Sequence, residues 1–217
     1  MDALIFDLDG TLTDTESIWD EVRRGLAADE GRPWPGEATT AMMGMSTPEW
    51  SGYLVDTVGL SGTPEQVAAR TIAAMAARYR THLPTLPGAV SAVRRMAELL
   101  PLGLVSSSPR VLITTALATL GITDLFAVTV STEEVAAGKP APDGYARACE
   151  LQGWAPGRTA AVEDSSNGLI SAADAGLQVI AVPMAFHPPA PEALARAKVV
   201  LGSLEELTED VLRSLED

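Results

Sequence analysis

Cysteine is almost absent from this 217-residue chain: Cys149 stands alone. That excludes an intramolecular disulfide and any zinc site built on clustered thiolates, and Cys149 is expected to be a small core hydrophobe on a helix. Histidine is nearly as scarce, with only His82 and His187. A histidine-nucleophile phosphatase needs one of them among basic phosphate ligands. His82 ends a helical pattern and His187 precedes Pro188-Pro189, so both are read as structural or exposed. No apolar run reaches the roughly 18 residues that a bilayer span needs, and Met1-Asp2 opens without the basic stretch of a secretory leader; the expectation is a soluble cytoplasmic protein. Positive charge is also short, with 15 Lys and Arg against 29 Asp and Glu and a net charge of −14. Such a surface repels nucleic acid and anionic membrane, so neither is expected as a partner. A small phosphorylated ligand remains possible, because a local metal, a lysine and backbone N–H groups can hold an anion within an acidic protein.

What is present is a globular composition. Hydrophobic residues make up 47% of the chain and charged ones 20%, mean hydropathy is +0.15, and the length suffices for one large domain or a core with a smaller insertion. The organising stretch is Ala3 to Asp14, ALIFDLDGTLTD. Four apolar residues read as a parallel strand buried on both faces, and the polar residues begin where open α/β sheets place their sites. Asp7 and Asp9 are two apart, so an extended backbone would turn them to one side, although departure into a loop can splay them. Like-charged carboxylates this close are best tolerated around a cation or a shared proton. Gly10 permits the turn after them, which an ordinary Asp-rich turn would also use.

After Asp14 the periodicity becomes helical. Ile18, Trp19, Val22 and Leu26 form one face, with Glu16, Asp20, Glu21, Arg23 and Arg24 off it. Gly31, Pro33, Pro35 and Gly36 break the chain. Thr47-Pro48-Glu49 starts a helix running to Val58 and closed by Gly59, and Thr63-Pro64-Glu65 starts an alanine-rich one ending near His82. From Leu86 the pattern alternates, with strands expected at 102–105, 127–130, 160–162, 179–182 and a short edge strand at 199–201. Helices are expected over 89–100, from Ser108-Pro109 to Gly121, from Pro142 through Tyr145 and Cys149, over 166–175, and at the acidic C-terminus. This alternation predicts an α/β fold, a doubly wound parallel sheet with right-handed crossovers. Because the first strand belongs to that sheet, the helical block over 15–83 is an insertion into a core made of 1–14 and 84–217.

Three further polar clusters follow predicted strands. Ser106-Ser107-Ser108 precedes Pro109 at a helix start, where hydroxyls and free N–H groups suit an anion or simply cap the helix. Lys139 sits in Gly138-Lys139-Pro140, and Glu163-Asp164-Ser165-Ser166-Asn167-Gly168 puts two adjacent acids at a strand end. Carboxylates of Asp7 and Asp164 suit magnesium, which keeps waters and a phosphate oxygen as its other ligands. Lys139 and Ser106 would then hold the remaining phosphoryl oxygens.

In this order, Asp7-Leu8-Asp9-Gly10-Thr11, Ser106, Lys139 in Gly-Lys-Pro, and Glu163 to Gly168 resemble the four motifs of the haloacid dehalogenase superfamily. The helical insertion resembles that family's small helical cap on a Rossmann-like core. The resemblance implies a Mg2+-dependent phosphomonoester hydrolase acting on a small phosphorylated metabolite, such as a sugar phosphate or a phosphoglycolate-like acid. It makes Asp7 the nucleophile of an aspartyl-phosphate and Asp9 the general acid and base. The ion would lie on the Asp7 carboxylate, the Asp9 backbone carbonyl and Asp164, with Glu163 behind them. Ser106, the Ser107 N–H and Lys139 would hold the phosphoryl group, and Thr11 would orient the loop or Asp9. Glu16, Trp19, Gly44 and Met45 are the expected substrate contacts of the cap. The alternative within the family is a sugar phosphomutase resembling β-phosphoglucomutase, which uses a histidine at about the position of Trp19. Residues 15 to 82 contain no lysine, so the Schiff-base lysine of phosphonate-cleaving relatives is missing. Asp9 separates the chain from the metal-free dehalogenases, and the intact set argues against a non-catalytic phosphate-binding regulator. A monomer or weak homodimer is expected.

Overall fold

The computed structural model describes residues 1–42, 45–184 and 188–216. Six strands, β1 (Ala3–Phe6), β2 (Leu102–Ser106), β3 (Phe126–Ser131), β4 (Thr159–Glu163), β5 (Gln178–Ala181) and β6 (Val199–Val200), form one sheet in the order β3-β2-β1-β4-β5-β6. Every pairing is parallel, as the strand and helix alternation predicts. All of β1 is buried, because it lies mid-sheet with helices on both faces. The chain winds outward from β1 through β2 and β3, then returns to its other side at β4. The loops after β1 and β4 therefore diverge, opening the crevice in which doubly wound sheets bind ligands.

The residues divide into two compact units, Met1–Asp14 with Leu83–Asp217, and Thr15–His82. The second unit is helical: α1 (Glu16–Asp29), α2 (Ala38–Ala41), α3 (Thr47–Tyr53) and α4 (Pro64–Thr81). Both Pro-containing starts behave as expected, with one shift. Thr63 caps α4, whereas α3 is capped by Ser46, whose box with Glu49 begins the helix one residue ahead of the proline signal. The last stretch toward Gly59, Leu54–Val58, is π-helical rather than α-helical, and Gly59 closes it at φ +83°. Met42, Trp50, Leu54, Val58, Leu60 and Val67 form this unit's core, with Trp19 and Met45 packed partly against it. One residue departs from expectation. Arg23 does not sit on the solvent face of α1 but is buried, 6% exposed, because its guanidinium packs on the rings of Trp19 and Trp50.

In the sheet unit, helices α5 (Ala89–Ala97), α6 (Arg110–Leu120), α7 (Asp143–Gln152), α8 (Ser166–Asp174), α9 (Pro191–Leu194) and α10 (Glu209–Ser214) follow or connect the strands. One face of the sheet packs Ile5, Val105, Val130, Ala161 and Val179 against Tyr145, Ala148 and Leu169. Cys149 belongs to the same cluster, as a core hydrophobe on α7. No described helix is long and apolar enough to cross a membrane.

Candidate active site

The site is assembled at the ends of β1, β2 and β4. Asp7 follows β1 directly, its N–H still donating to Val162 at 3.0 Å. Beyond it the chain turns tightly: Leu12 and Thr13 N–H groups donate to the Leu8 carbonyl at 2.8 and 2.9 Å, and Gly10 N–H to Thr13 at 2.8 Å. Gly10 holds φ +89°, and a methyl group there would overlap the Asp164 carboxylate. Only glycine lets this loop close against β4.

The loop splays the two aspartates. Asp7 turns into a buried cluster with Glu163 and Asp164, whose carboxylate oxygens lie within 4.8 Å of one another. Asp9 turns to the end of β2, where its Oδ2 accepts from Ser108 Oγ at 2.7 Å and from Ser106 Oγ at 3.3 Å. The Ser108 N–H in turn donates to Ser106 Oγ at 2.9 Å. Ser106 is the last residue of β2 and Ser107 is exposed beside it. Thr11 is fully buried and donates to Asp164 Oδ1 at 3.3 Å. It thus steadies the loop on Asp164.

Lys139 reaches the cluster from the loop after β3. Its ammonium donates to Asp7 Oδ1 and Glu163 Oε1, both at 2.6 Å, and to the Val105 carbonyl at 3.1 Å. Burial alone would lower the Lys139 pKa, but the charges and hydrogen bonds of Asp7 and Glu163 more than offset it and leave it raised. Glu163 has no exposure. Besides Lys139 it accepts from Tyr145 Oη at 2.7 Å, the Asp164 N–H at 3.2 Å and Ser165 Oγ at 3.4 Å. Gly168, in the first turn of α8, makes room for it, since a methyl group there would overlap the Glu163 carboxylate. Sequence pattern offers Ser108 only as part of the serine cluster and Tyr145 only as a helix residue. A buried phenol needs a polar partner, but nothing local to α7 points to Glu163 as that partner.

The donor set fits a hard divalent cation. Three carboxylates face one ammonium, so negative charge is in excess in a buried site. Asp7 Oδ2 is buried without a hydrogen-bond partner among the described residues, an orphaned acceptor that requires an occupant. Burial, followed by the charge of Glu163, pushes the Asp164 carboxyl up to about 7. Burial, opposed by Lys139 but reinforced by Glu163 and Asp164, raises Asp7 well above the carboxylate range.

A raised carboxyl pKa means that the folded chain holds a proton which the unfolded chain has already lost. Above the unfolded value of 3.8 stability therefore declines as pH rises through the folded value. Metal-free protein is expected to melt at progressively lower temperature between about pH 5 and 8, and Asp164→Asn to flatten that slope. The carboxylates with lowered values, Glu30 and Glu134 among them, act below this window. Melting curves in EDTA across the range check it, and a flat or rising melting temperature would remove the buried acidic cluster as their cause.

Of the residues expected in the helical unit, Glu16 and Trp19 lie on the first turn of α1, each half-buried, and Met45 is half-buried before α3. Gly44, with Met43, and His187 lie outside the described residues.

A family model of haloacid dehalogenase-like hydrolases matches residues 1–176, and the chain belongs to that family. It is 30% identical over 212 residues to validoxylamine A 7'-phosphate phosphatase of Streptomyces hygroscopicus subsp. limoneus, covering 94% of each. Hexitol phosphatase B of Escherichia coli K12 is 31% identical over 221 residues, 95% of this chain and 94% of that one. Among solved structures, a haloacid dehalogenase family hydrolase from Deinococcus radiodurans R1 with bound phosphate and sodium aligns at a TM-score of 0.71 and 27% identity, over 99% of this chain and 97% of that chain.

Proposed function

We propose that the protein is a magnesium-dependent phosphomonoester hydrolase that releases phosphate from a small phosphorylated metabolite of the sugar-phosphate kind, in the cytoplasm. The observation that carries this reading is Asp7. Its carboxylate stands at the switch point of the sheet, with one oxygen held by Lys139 and the other buried and unpartnered. The named activities of the relatives, on validoxylamine 7'-phosphate and hexitol phosphates, support the substrate class.

In this reading a carboxylate oxygen of Asp7 attacks phosphorus as the bond to the leaving oxygen breaks, giving an aspartyl-phosphate and an alcohol. Asp9, held by two serine hydroxyls, gives its proton to the leaving oxygen. It then takes one from the water that attacks the aspartyl-phosphate, which frees inorganic phosphate and restores Asp7. Lys139 orients Asp7 and offsets charge on the phosphoryl oxygens. Ser106 and the Ser107 N–H bind the phosphoryl group, with Ser106 giving up its bond to Asp9. Magnesium, held by Asp7, the Asp9 carbonyl and Asp164, would supply Lewis-acid stabilisation of phosphoryl charge. Glu163 is already committed to Lys139 and Tyr145 and serves to fix the lysine.

The test is phosphate release from a panel of phosphorylated sugars, polyols and short acids, with magnesium and with EDTA, alongside an assay for isomerised sugar phosphate. Magnesium-dependent release is the expected result. Isomerisation without release would replace the hydrolase by a mutase.

A further inference from the structure

Arg23 makes no ion pair with a described residue, although it is 6% exposed. Its Nε–H is sealed from solvent with no acceptor among the described residues. The guanidinium packs against two neighbouring indoles, with its central carbon 4.7 Å from the Trp19 ring centre and 5.1 Å from that of Trp50. The two rings lie 5.7 Å apart at 59°. The acidic neighbours do not neutralise it directly. The charges of Glu16 and Asp20 favour the guanidinium ion, but Asp20 is already engaged by Arg24 and Thr39.

A buried cation without an ion-paired carboxylate is costly, and the contacts with the two rings recover only part of that cost. Burial is what dominates its titration, pushing the guanidinium down to about 10. A group needed only for packing would be better served by an uncharged side chain of similar length. The indoles also limit the rotation of the guanidinium plane, which presents its fork at a small entropic cost.

We infer that Arg23, packed against Trp19 and Trp50, is an oxyanion-binding residue of the helical unit, recognising a carboxylate or phosphate group of a small metabolite. The fork of an arginine pairs with two oxygens of such a group at once, and the incoming anion forms the direct ion pair that Arg23 makes with no described residue. The anion is a small one bound within the helical unit itself.

Isothermal titration calorimetry on the full chain tests this with malonate and succinate, using uncharged malonamide as the control. Saturable binding of at least one anion, and none of malonamide, is expected. Arg23→Gln should abolish that binding, and Arg23→Lys, which keeps the charge but not the planar fork, should weaken it roughly tenfold or more. Circular dichroism and melting of each variant confirm that it is folded, and the lysine variant carries the test if the glutamine variant is not. Binding equal to wild type in a folded variant, or no saturable binding to wild type by either anion, would overturn the inference and leave Arg23 a packing residue. The titration requires no turnover, so it holds or fails apart from the phosphatase reading.

Discussion

Asp7→Asn is expected to lower phosphate release by roughly a thousandfold or more, because the amide oxygen is a far poorer nucleophile than the carboxylate it replaces. The fold should survive. Lys139 keeps its 2.6 Å bond to Glu163, so its ammonium is not stranded. The substitution also removes one of three carboxylates that share a buried cluster, relieving repulsion in metal-free protein. Two measurements decide the point together: turnover on the best substrate of the panel, and trapping of the phosphoenzyme followed by location of the modified residue. A variant that keeps a tenth of wild-type turnover, or a phosphoryl group found on another side chain of the wild type, would sink the assignment.

Gly168→Ala is expected to be nearly as damaging, and by a different route. The added methyl would overlap a carboxylate that has no exposure and is bonded to Lys139 and Tyr145. Glu163 cannot move aside without breaking those bonds, and α8 cannot move without shifting Asp164 at its head. Overpacking with loss of buried polar bonds should destabilise the chain by about 3 kcal/mol, a fall of about 6–12 °C in melting temperature for a chain of this size. Displacement of Lys139 by about an ångström should lower kcat roughly a hundredfold. Both are read in one preparation by calorimetry and steady-state kinetics. A variant within 2 °C and twofold of wild type would show that Glu163 is loosely held.

Much of the site is legible in the linear chain because its motifs are local. An apolar run that ends in Asp7, Ser106 or Glu163 announces both a buried strand and the polar residue at its end, since burial and strand length act on neighbouring residues. Two of those residues proved to be the last of their strands rather than the first of their loops, a shift that moves Glu163 fully inside. The spacing of Asp7 and Asp9 left open whether they share a side, and the turn at Gly10 settles it by sending one to Lys139 and the other to the serines. Arg23 carried a signal that charge patterning alone overrides. It is four residues after Trp19, which is helix-neighbour spacing, yet the second indole that buries it comes from α3, beyond the reach of any pattern on α1.

The sequence by itself determined the parallel α/β sheet, the helical insertion after its first strand, and the four clusters from which the site is drawn, because periodicity, caps and strand ends are properties of adjacent residues. The tertiary structure alone decided which of those groups meet. Lys139 bonds Asp7 across 132 positions and Tyr145 bonds Glu163 across 18. The strand order sets the first meeting, and the packing of α7 on the sheet sets the second. It also decided their charge. How far a carboxylate or a guanidinium is perturbed depends on how much water is removed from around it and on which ions remain, and both follow from neighbours that are distant along the chain.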